Sequence, residues 1–575
     1  MSNENEKRIC QNCRSKFIIE QEDFNFYEKL KVPPPTFCPQ CRMQRRFSVR
    51  NERNLYHREC GLCKKPIISV YSKEKIFPVY CSSCWWGDKW DPMDFEQEAD
   101  FSQPFLSQFS FLLSKVPRSA LNSINAKNSD YCNYVGNAKD SYLCFGSIDI
   151  ENCLYGSPYE SKYCVDSYLI RESEYCYECI DCEKLSHSIF CQDCSNSLDM
   201  IYCFDCKNCQ DCIGCAGLRG QKYNIFNQQH TKEEYARKKE KFIKNGRAGF
   251  DEIAKKFQEL KLKFPHKFST ILYSTEVEGD HIVQSKNVIQ SFDVKECKDI
   301  KYCKQLIGAK DVQDVNYCEF LELCYDYIGF WKVNNVRFSN TCGESNNLSY
   351  SDFCSSSSNL FGCVGLRSKN YCILNKQYSE EEYEKLVPKL IKHMDDMPYI
   401  DQKGRIYKYG EFFPSALSPF CYNETIAQEY FPLDKVEAEK RGYKWKEKEE
   451  RNYKIDIGTE NIPNSIKEVE ENVVGKVIEC EHASTNEHLA FCAASCTEAF
   501  KIIPAELQFY QRMNLPLPKI CPNCRHYQRL KKRNPLKLWH RKCMKEGCQN
   551  EFETSYSPDR PEIIYCEKCY QKEVY

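Results

Sequence analysis

The stretch KNVIQSFDVKEC KDIKYCKQLIGA KDVQDVNYCEFL (residues 286–321) repeats one pattern every twelve residues. The same step continues to residue 369, and an earlier run, which contains one unit of eleven, extends from about residue 127 to residue 221. A short period held over many units is typical of a solenoid, because each unit buries its inner face only against its neighbours. The sequence therefore predicts a multidomain, mainly β protein that contains two duplicated parallel β-solenoids.

The cysteines keep a fixed phase within these units. All 14 cysteines of the first run and all 8 of the second stand at positions 3, 6, 9 or 12 of their unit. An inward step of three residues differs from the periods of strands and helices, which are 2.0 and 3.6. It fits a narrow twelve-residue coil that turns four times and points one small side chain inward at each turn.

In coil length and inward step alone, this pattern resembles the insect antifreeze β-helix. The outer face lacks the Thr-x-Thr array of that family, so ice binding is not implied. Tyr327 and Phe330 are large for so thin a core. A wider coil of 24 residues, two units per turn, therefore remains an alternative.

A second set of cysteines lies in close pairs near both ends of the chain. Two pairs that converge supply four thiolates in the tetrahedral arrangement that Zn²⁺ prefers, and a shell closed in this way is structural rather than catalytic. The sequence predicts four such zinc sites. Their ligands are Cys10, Cys13, Cys38 and Cys41; Cys60, Cys63, Cys81 and Cys84; Cys492, Cys496, Cys521 and Cys524; and Cys543, Cys548, Cys566 and Cys569. Cys421 and Cys480 are left in neither set.

The two ends are copies of one another. Residues 38–60 (CPQCRMQRRFSVRNERNLYHREC) align without a gap to residues 521–543 (CPNCRHYQRLKKRNPLKLWHRKC). Upstream, Phe26 and Tyr27 match Phe509 and Tyr510. The second copy has one extra residue in its first cysteine pair, Cys492-x3-Cys496.

The first half of each copy resembles a small bacterial zinc-ribbon family of treble-clef type, with the pattern CxxC, F, FY, P, CxxCR. The resemblance covers about 35 residues at each end. It implies metal ligation by Cys10, Cys13, Cys38 and Cys41, and by Cys492, Cys496, Cys521 and Cys524. The whole chain is similar to a larger bacterial family of multi-zinc-ribbon proteins. Some of those carry a CoA-transferase label, which no residue of this chain supports.

The predicted domain order follows from these patterns. Tandem zinc ribbons (1–90) precede a linker with a short helix (91–125), the first solenoid (126–228), a helical cap (229–275) and the second solenoid (276–378). A helix and mixed linker (379–478) and a second tandem of zinc ribbons (479–575) complete the chain. Thr231 and Ser379 are expected to cap the helices that follow the solenoids.

Composition narrows the classes of protein. The chain has 575 residues, 40 of them cysteine, and a formal charge of −1 from 81 basic and 82 acidic side chains. A chain of this length is not a disulfide-stabilised miniprotein. The near balance of basic and acidic side chains argues against a protein that binds nucleic acid over its whole surface. No apolar leader or long uncharged stretch is present. We expect a cytoplasmic protein without a membrane partner, in which thiols stay reduced.

Local basic segments within the predicted ribbons suggest one kind of partner. Residues 42–58 contain six Arg against one Glu, and residues 525–542 contain eight Arg or Lys and no acid. Basic side chains interleaved with aromatic ones suit phosphate contacts and base stacking. The candidate contacts are Arg42, Arg45, Arg46, Arg50, Arg525, Arg529, Lys531, Lys532 and Arg533. The alternatives are that these side chains are solvated, pair with acids of the linker at 465–482, or serve association with a protein.

The inward cysteines leave three roles open. They are small core fillers, disulfides such as Cys176 with Cys182, or columns that bind a soft metal or an iron–sulfur cluster. The soft-metal columns would be Cys179, Cys191, Cys203 and Cys215, with Cys182, Cys194 and Cys206. No catalytic motif is present, so the sequence favours a zinc-stabilised binding or scaffold protein over a redox protein or an enzyme such as a transferase.

Overall fold

The computed structural model describes residues 5–329, 331–448, 452–485 and 495–574. The chain is mainly β, with four small cysteine-bearing units at its ends and two long parallel sheets between them. We call residues 5–50, 56–87, 478–533 and 534–574 units 1 to 4. We call the two sheets with their connecting turns the first array (123–229) and the second array (271–377).

Each unit combines a short hairpin with a helix. Unit 1 holds β1 (Glu6–Ile9), β2 (Lys16–Ile19), α1 (Gln21–Leu30) and α2 (Pro39–Phe47), and unit 2 holds β3 (Tyr56–Glu59), β4 (Pro66–Ser69), β5 (Val79–Tyr80) and α3 (Ser82–Trp85). Helix α4 (Phe105–Lys115) and strand β6 (Arg118–Ser119), which pairs with β5, lead into the first array.

The first array is a sheet of ten strands in chain order. They are β7 (Ser123–Ile124), β8 (Asn133–Lys139), β9 (Phe145–Glu151), β10 (Ser157–Tyr159), β11 (Tyr168–Arg171), β12 (Glu183–Ser186), β13 (Ser195–Ile201), β14 (Gln210–Ile213), β15 (Lys222–Ile225) and β16 (Gln228–Gln229). Helices α5 (Lys232–Lys244) and α6 (Arg247–Lys263) and strand β17 (His266–Lys267) follow.

The second array has twelve strands. They are β18 (Ile271–Leu272), β19 (Thr275–Val283), β20 (Lys286–Lys295), β21 (Lys298–Lys301), β22 (Lys304–Ile307), β23 (Lys310–Glu322), β24 (Tyr325–Ile328), β25 (Trp331–Asn340), β26 (Ser345–Ser349), β27 (Ser358–Phe361), β28 (Asn370–Ile373) and β29 (Lys376–Gln377).

The C-terminal part contains mostly short elements. Helix α7 (Glu380–Asp396), strands β30 (Tyr399–Ile400) and β31 (Ile406–Tyr407), and helices α8 (Ile426–Tyr430) and α9 (Lys435–Lys440) precede unit 3. Unit 3 holds β32 (Ile478–Glu479), α10 (Glu481–Thr485), β33 (Ala499–Phe500), α11 (Pro504–Met513) and α12 (Pro522–Lys532). Unit 4 holds β34 (Trp539–Lys542), β35 (Glu551–Thr554), β36 (Ile564–Tyr565) and α13 (Glu567–Val574).

Most of the parallel strands pair at an offset of twelve residues. Glu183 is opposite Ser195 in the first array, and Lys286 is opposite Lys298 in the second. An offset of eleven appears in the first array where Leu154 is opposite Val165, and in the second where Thr275 is opposite Lys286. Each strand thus pairs with the equivalent strand one repeat later in the sequence, not two repeats later.

A left-handed residue recurs at every third position of the arrays. Tyr175, Glu178 and Asp181 have φ of 51°, 53° and 53°, and the residue after each is a buried cysteine. Non-glycine residues adopt this conformation at a cost of about 1 kcal/mol or more. Because each such residue redirects the chain, it forms a corner that turns the next side chain inward.

The array cysteines are buried thiols. All 22 are buried and none forms a disulfide, so Cys176 and Cys182 are not bonded to each other. Their Sγ atoms contact backbone carbonyls: that of Cys179 donates to the carbonyl of Ser188 at 3.3 Å. The weak thiol donor is therefore satisfied inside the core, as the filler role requires.

Tyr327 lies inside the second array despite its size. It is fully buried, and its hydroxyl accepts the N–H of Cys342 at 3.0 Å. Space for the ring comes from Gly329, where a Cβ would stand 2.0 Å from the ring. Phe330 lies outside the described residues.

Both arrays end in a capped helix, as the sequence predicts. Each sheet finishes with an antiparallel strand pair, β15 with β16 and β28 with β29. Thr231 and Ser379 then accept the N–H of Glu234 and Glu382 in capping boxes that begin α5 and α7. Among the described residues, no helix combines the length and the apolar character needed to cross a membrane.

Candidate metal centres and the arginines around them

Four groups of four cysteines bring their Sγ atoms within 4.8 Å of one another. The groups are Cys10, Cys13, Cys38 and Cys41; Cys60, Cys63, Cys81 and Cys84; Cys480, Cys496, Cys521 and Cys524; and Cys543, Cys548, Cys566 and Cys569. Four thiolates at this separation suit a tetrahedral metal ion. Each group can hold one.

Hairpin turns and helix starts position the thiols. In unit 1, Cys10 follows β1 and its N–H bonds the carbonyl of Ser15 at 2.9 Å, with Arg14 at φ 63° closing the turn. Cys38 is the N-cap of α2, so Cys41 lies in the first turn of that helix. The contact with Cys10 raises the pKa of both thiols, to about 12 for Cys38, while the pKa of Cys10 is lowered by the same contacts.

Hydrogen bonds lower the pKa of a thiol in unit 2 and of one in unit 4. Burial raises the pKa of Cys60, but backbone N–H groups at Cys63 and Cys81 outweigh it and lower the pKa to about 6. The pKa of Cys566 is likewise about 6, because burial is outweighed by the Asn550 amide and by the backbone at Cys569. Burial and the neighbouring thiols raise the pKa of Cys84 and that of Cys569 to about 12, so each of these groups holds a low-pKa thiol beside a protonated one.

The third group differs from the predicted one. Cys480, which the sequence left without a role, stands with Cys496, Cys521 and Cys524, while Cys492 lies outside the described residues. Cys480 follows β32 as Cys10 follows β1, and its Sγ accepts the N–H of Cys521 at 3.2 Å. The first pair of this unit is therefore separated by fifteen residues (481–495), not by three.

The predicted nucleic-acid contacts need correction at seven positions. Arg42, Arg45, Arg46, Arg50, Arg525 and Arg529 are each at most 3% exposed, and the Arg533 side chain is 6% exposed. A guanidinium that is buried within the fold cannot reach the phosphate backbone of a nucleic acid, which is too large to enter. Of the nine candidate residues, Lys531 and Lys532 remain exposed.

The arginines dock units 1 and 3 onto the arrays. Arg42 contacts Asp314 at 2.8 Å, and Arg46 contacts both Asp314 at 2.9 Å and Asp326 at 2.6 Å. Arg45 bridges Asp326 and Glu411 at 2.8 and 3.0 Å. These acids are buried in the second array and the linker. Unit 1 therefore packs on the second array, which is the farther of the two from it along the chain.

Unit 3 makes the matching contacts on the first array. Arg525 contacts Asp166 at 2.9 Å, and Arg529 contacts Asp166 at 3.0 Å and Glu178 at 2.7 Å. Arg46 and Arg529 each also donate to a backbone carbonyl at 3.2 Å, that of Tyr302 and that of Tyr155. The two acids are twelve residues apart in each array, one above the other on adjacent coils.

A fifth group of potential metal ligands is instead a cluster of ion pairs. Asp181, Asp193 and His281 lie together, with Arg533 contacting Asp181 at 2.7 Å. Burial lowers the pKa of His281, but Asp181, Asp280 and the hydrogen bond to Asp193 raise it to about 10. A protonated imidazole has no lone pair for a metal.

The cysteine columns of the arrays form no comparable centre. Within the described residues, each group of three or more cysteines with mutually close Sγ atoms belongs to one of the four units. The soft-metal role of Cys179, Cys191, Cys203 and Cys215, and of Cys182, Cys194 and Cys206, thus lacks a geometric basis here.

Comparison with known proteins adds little. No family model and no curated protein matches the chain. One solved structure that it matches is a protein from Desulfovibrio desulfuricans G20, provisionally described as an acetyltransferase. The match is 10% identical, covers 50% of this chain and 86% of that chain, and has a TM-score of 0.09. So low a score carries no argument about fold or activity.

The sequence did not predict the role of Cys480, nor that of the acids that pair with the arginines of units 1 and 3, and the two reasons differ. For Cys480 the sequence offered a competing ligand, because Cys492-x3-Cys496 has almost the spacing of a CxxC pair. Asp166 and Asp314 stand among many acids on the outer positions of the coils. The feature that pointed to acidic partners was the spacing of the arginines. In both copies two arginines are four residues apart and so lie on one face of a helix.

Proposed function

We propose that this chain is a zinc-stabilised scaffold in which four structural zinc ions hold the terminal units against two rigid β-solenoids. One observation supports it above the others: four all-cysteine groups, each with four Sγ atoms within 4.8 Å. All-thiolate tetrahedral shells suit zinc and leave no open position for water. The metal would then be structural.

The twelve-residue offset supports the solenoid part of the proposal. Coils that stack at this offset form a stiff rod whose inner positions are filled by thiols and small side chains. Units 1 and 3 cover one side of each rod through buried ion pairs. A rod clamped in this way keeps its outer faces at fixed positions, as a binding or scaffold protein requires.

Nucleic-acid contact is not part of the proposal, because seven of the nine basic candidates are buried or paired. Free thiols throughout the described chain favour a reducing compartment such as the cytosol.

Metal analysis of the purified protein tests the proposal. We expect four zinc per chain, no iron, and release of all four by a thiol-directed mercurial. A chain that folds to the same circular dichroism spectrum with no bound metal would refute the structural role. Metal well above four per chain would instead restore the soft-metal columns as a function.

A further inference from the structure

A cleft of about 380 Å³ lies between the two arrays. Its walls carry Tyr134, Tyr159 and Arg171 from the first array, Tyr317 and Glu319 from the second, and Arg50 from unit 1. This volume lies in the range of small-molecule sites, which combine apolar walls with a few polar groups.

Arg50 brings an incompletely paired cation to this cleft. It is 3% exposed, and its Cζ lies 3.6 Å from the ring centre of Tyr134 and 4.4 Å from that of Tyr317. Its Nε donates to Glu52 at 2.7 Å. Its Nη1 is buried and has no hydrogen-bond partner among the described residues. A buried donor without a partner is destabilising, and more so when it is charged.

The aligned arginine of the other copy is fully paired. Arg533 contacts Asp181 at 2.7 Å and Asp293 at 2.6 Å. The cavity beside it measures only about 30 Å³. The same position in the duplicated ends is thus closed by two acids in one copy. In the other copy the arginine is paired with Glu52 and faces an open cleft, which Asp149 and Glu319 also line.

A second arginine enters the cleft from the first array. The Cζ of Arg171 lies 4.5 Å from the ring centre of Tyr159. In the described part of the chain its guanidinium has no acid within the 4.0 Å of an ion pair, although Glu319 lines the same cleft. Burial raises the pKa of Glu319, which reduces its value as a counter-ion.

We propose that this cleft binds a small organic anion, in which Arg50 and Arg171 hold a carboxylate or phosphate group and the tyrosine rings contact an apolar body. A guanidinium is suited to either oxyanion, because its planar fork donates two parallel hydrogen bonds. Tyrosine faces and the side chains of Ile148 and Ile307 favour a flat, unsaturated body.

A fluorescent aromatic anion tests the site in the full-length protein. We expect 1-anilinonaphthalene-8-sulfonate to bind saturably with one molecule per chain. Benzoate and phenyl phosphate should displace it, and whichever displaces it at lower concentration identifies the oxyanion class. Displacement as effective by inorganic phosphate alone would overturn the requirement for an apolar body.

Two variants and a matched control test whether the probe binds in this cleft. Arg171→Gln should weaken probe binding at least tenfold, since a charge-assisted hydrogen bond is lost, and Ile148→Trp should block it by filling the cleft. Arg512 stacks on Tyr175 at 4.6 Å outside the cleft, so Arg512→Gln should bind normally. Absence of saturable binding in the wild-type protein, or equal binding by both cleft variants and the control, would refute the proposal. Zinc content reports on the scaffold function independently.

Discussion

At the scale of single residues, Cys480 stands in the third cysteine group, where the sequence predicts Cys492. Cys480→Ser removes one of four Sγ atoms from that group, so we expect three zinc ions per chain instead of four. Cys492→Ser should keep all four. Metal analysis of the two variants checks this, and loss of a zinc ion from Cys492→Ser with none lost from Cys480→Ser would contradict the assignment.

His281 gives a pH dependence whose sign can be stated. Its pKa in the folded protein is about 10, above its ordinary value of 6.5, because nearby aspartates outweigh burial. The protonated imidazole therefore stabilises the fold fully below pH 6.5, and this contribution is lost as the pH rises through about 10.

We expect His281→Gln to lower the free energy of unfolding by a few kcal/mol at pH 6, and by much less at pH 10.5. Urea unfolding at both pH values measures the difference. His540→Gln, at a histidine whose side chain is 61% exposed, serves as the control and should change stability little at either pH. A deficit of His281→Gln that does not shrink with pH would contradict the charge role.

At the scale of elements, helices α2 and α12 depend on buried ion pairs for their docking. Arg46→Met leaves Asp314 and Asp326 buried without that cation, and the loss of one partner from a buried pair typically costs about 3–5 kcal/mol. Arg529→Met should cost a similar amount on the first array. Chemical denaturation measures both, with Lys531→Met on the exposed side of α12 as the control. A loss below about 1 kcal/mol would show that apolar packing alone docks the helices.

The elements also show what the sequence could and could not predict. The twelve-residue step of the sequence reappears as the offset between paired strands, because adjacent coils contact each other locally. The close cysteine pairs identified three of the four groups, since short turns fix their geometry. The docking of α2 was not predictable in this way. Arg46 and Asp314 are 268 residues apart, and nothing in local spacing links them.

The burial of the arginines likewise could not be inferred from composition. A run of basic residues predicts a positive surface only if no acids face it. Here Asp166 and Glu178, and Asp314 and Asp326, face the two helices from coils that lie far away in the sequence.

At the scale of the whole molecule, the terminal units pack crosswise, unit 1 on the second array and unit 3 on the first. A chain divided between Asn245 and Gly246, at the end of α5, would therefore keep contacts across the division. We expect co-expressed fragments 1–245 and 246–575 to purify together at a ratio of one to one. Size-exclusion chromatography with an affinity tag on one fragment measures this. Adding Arg46→Met and Arg529→Met should weaken the association, and independent elution of the unsubstituted fragments would contradict crosswise packing.

The crosswise packing also sets an order of events during synthesis. Arg46 leaves the ribosome 268 residues before Asp314, and Asp166 leaves it 363 residues before Arg529. At about 5–20 residues per second, the nascent chain carries the uncovered partner of each pair for roughly 13 to 70 s. The first array stays uncovered until helix α12 of unit 3 has been synthesised. Native burial of its acids therefore waits for the synthesis of unit 3, and a chain truncated before α12 has a first array that lacks its cover.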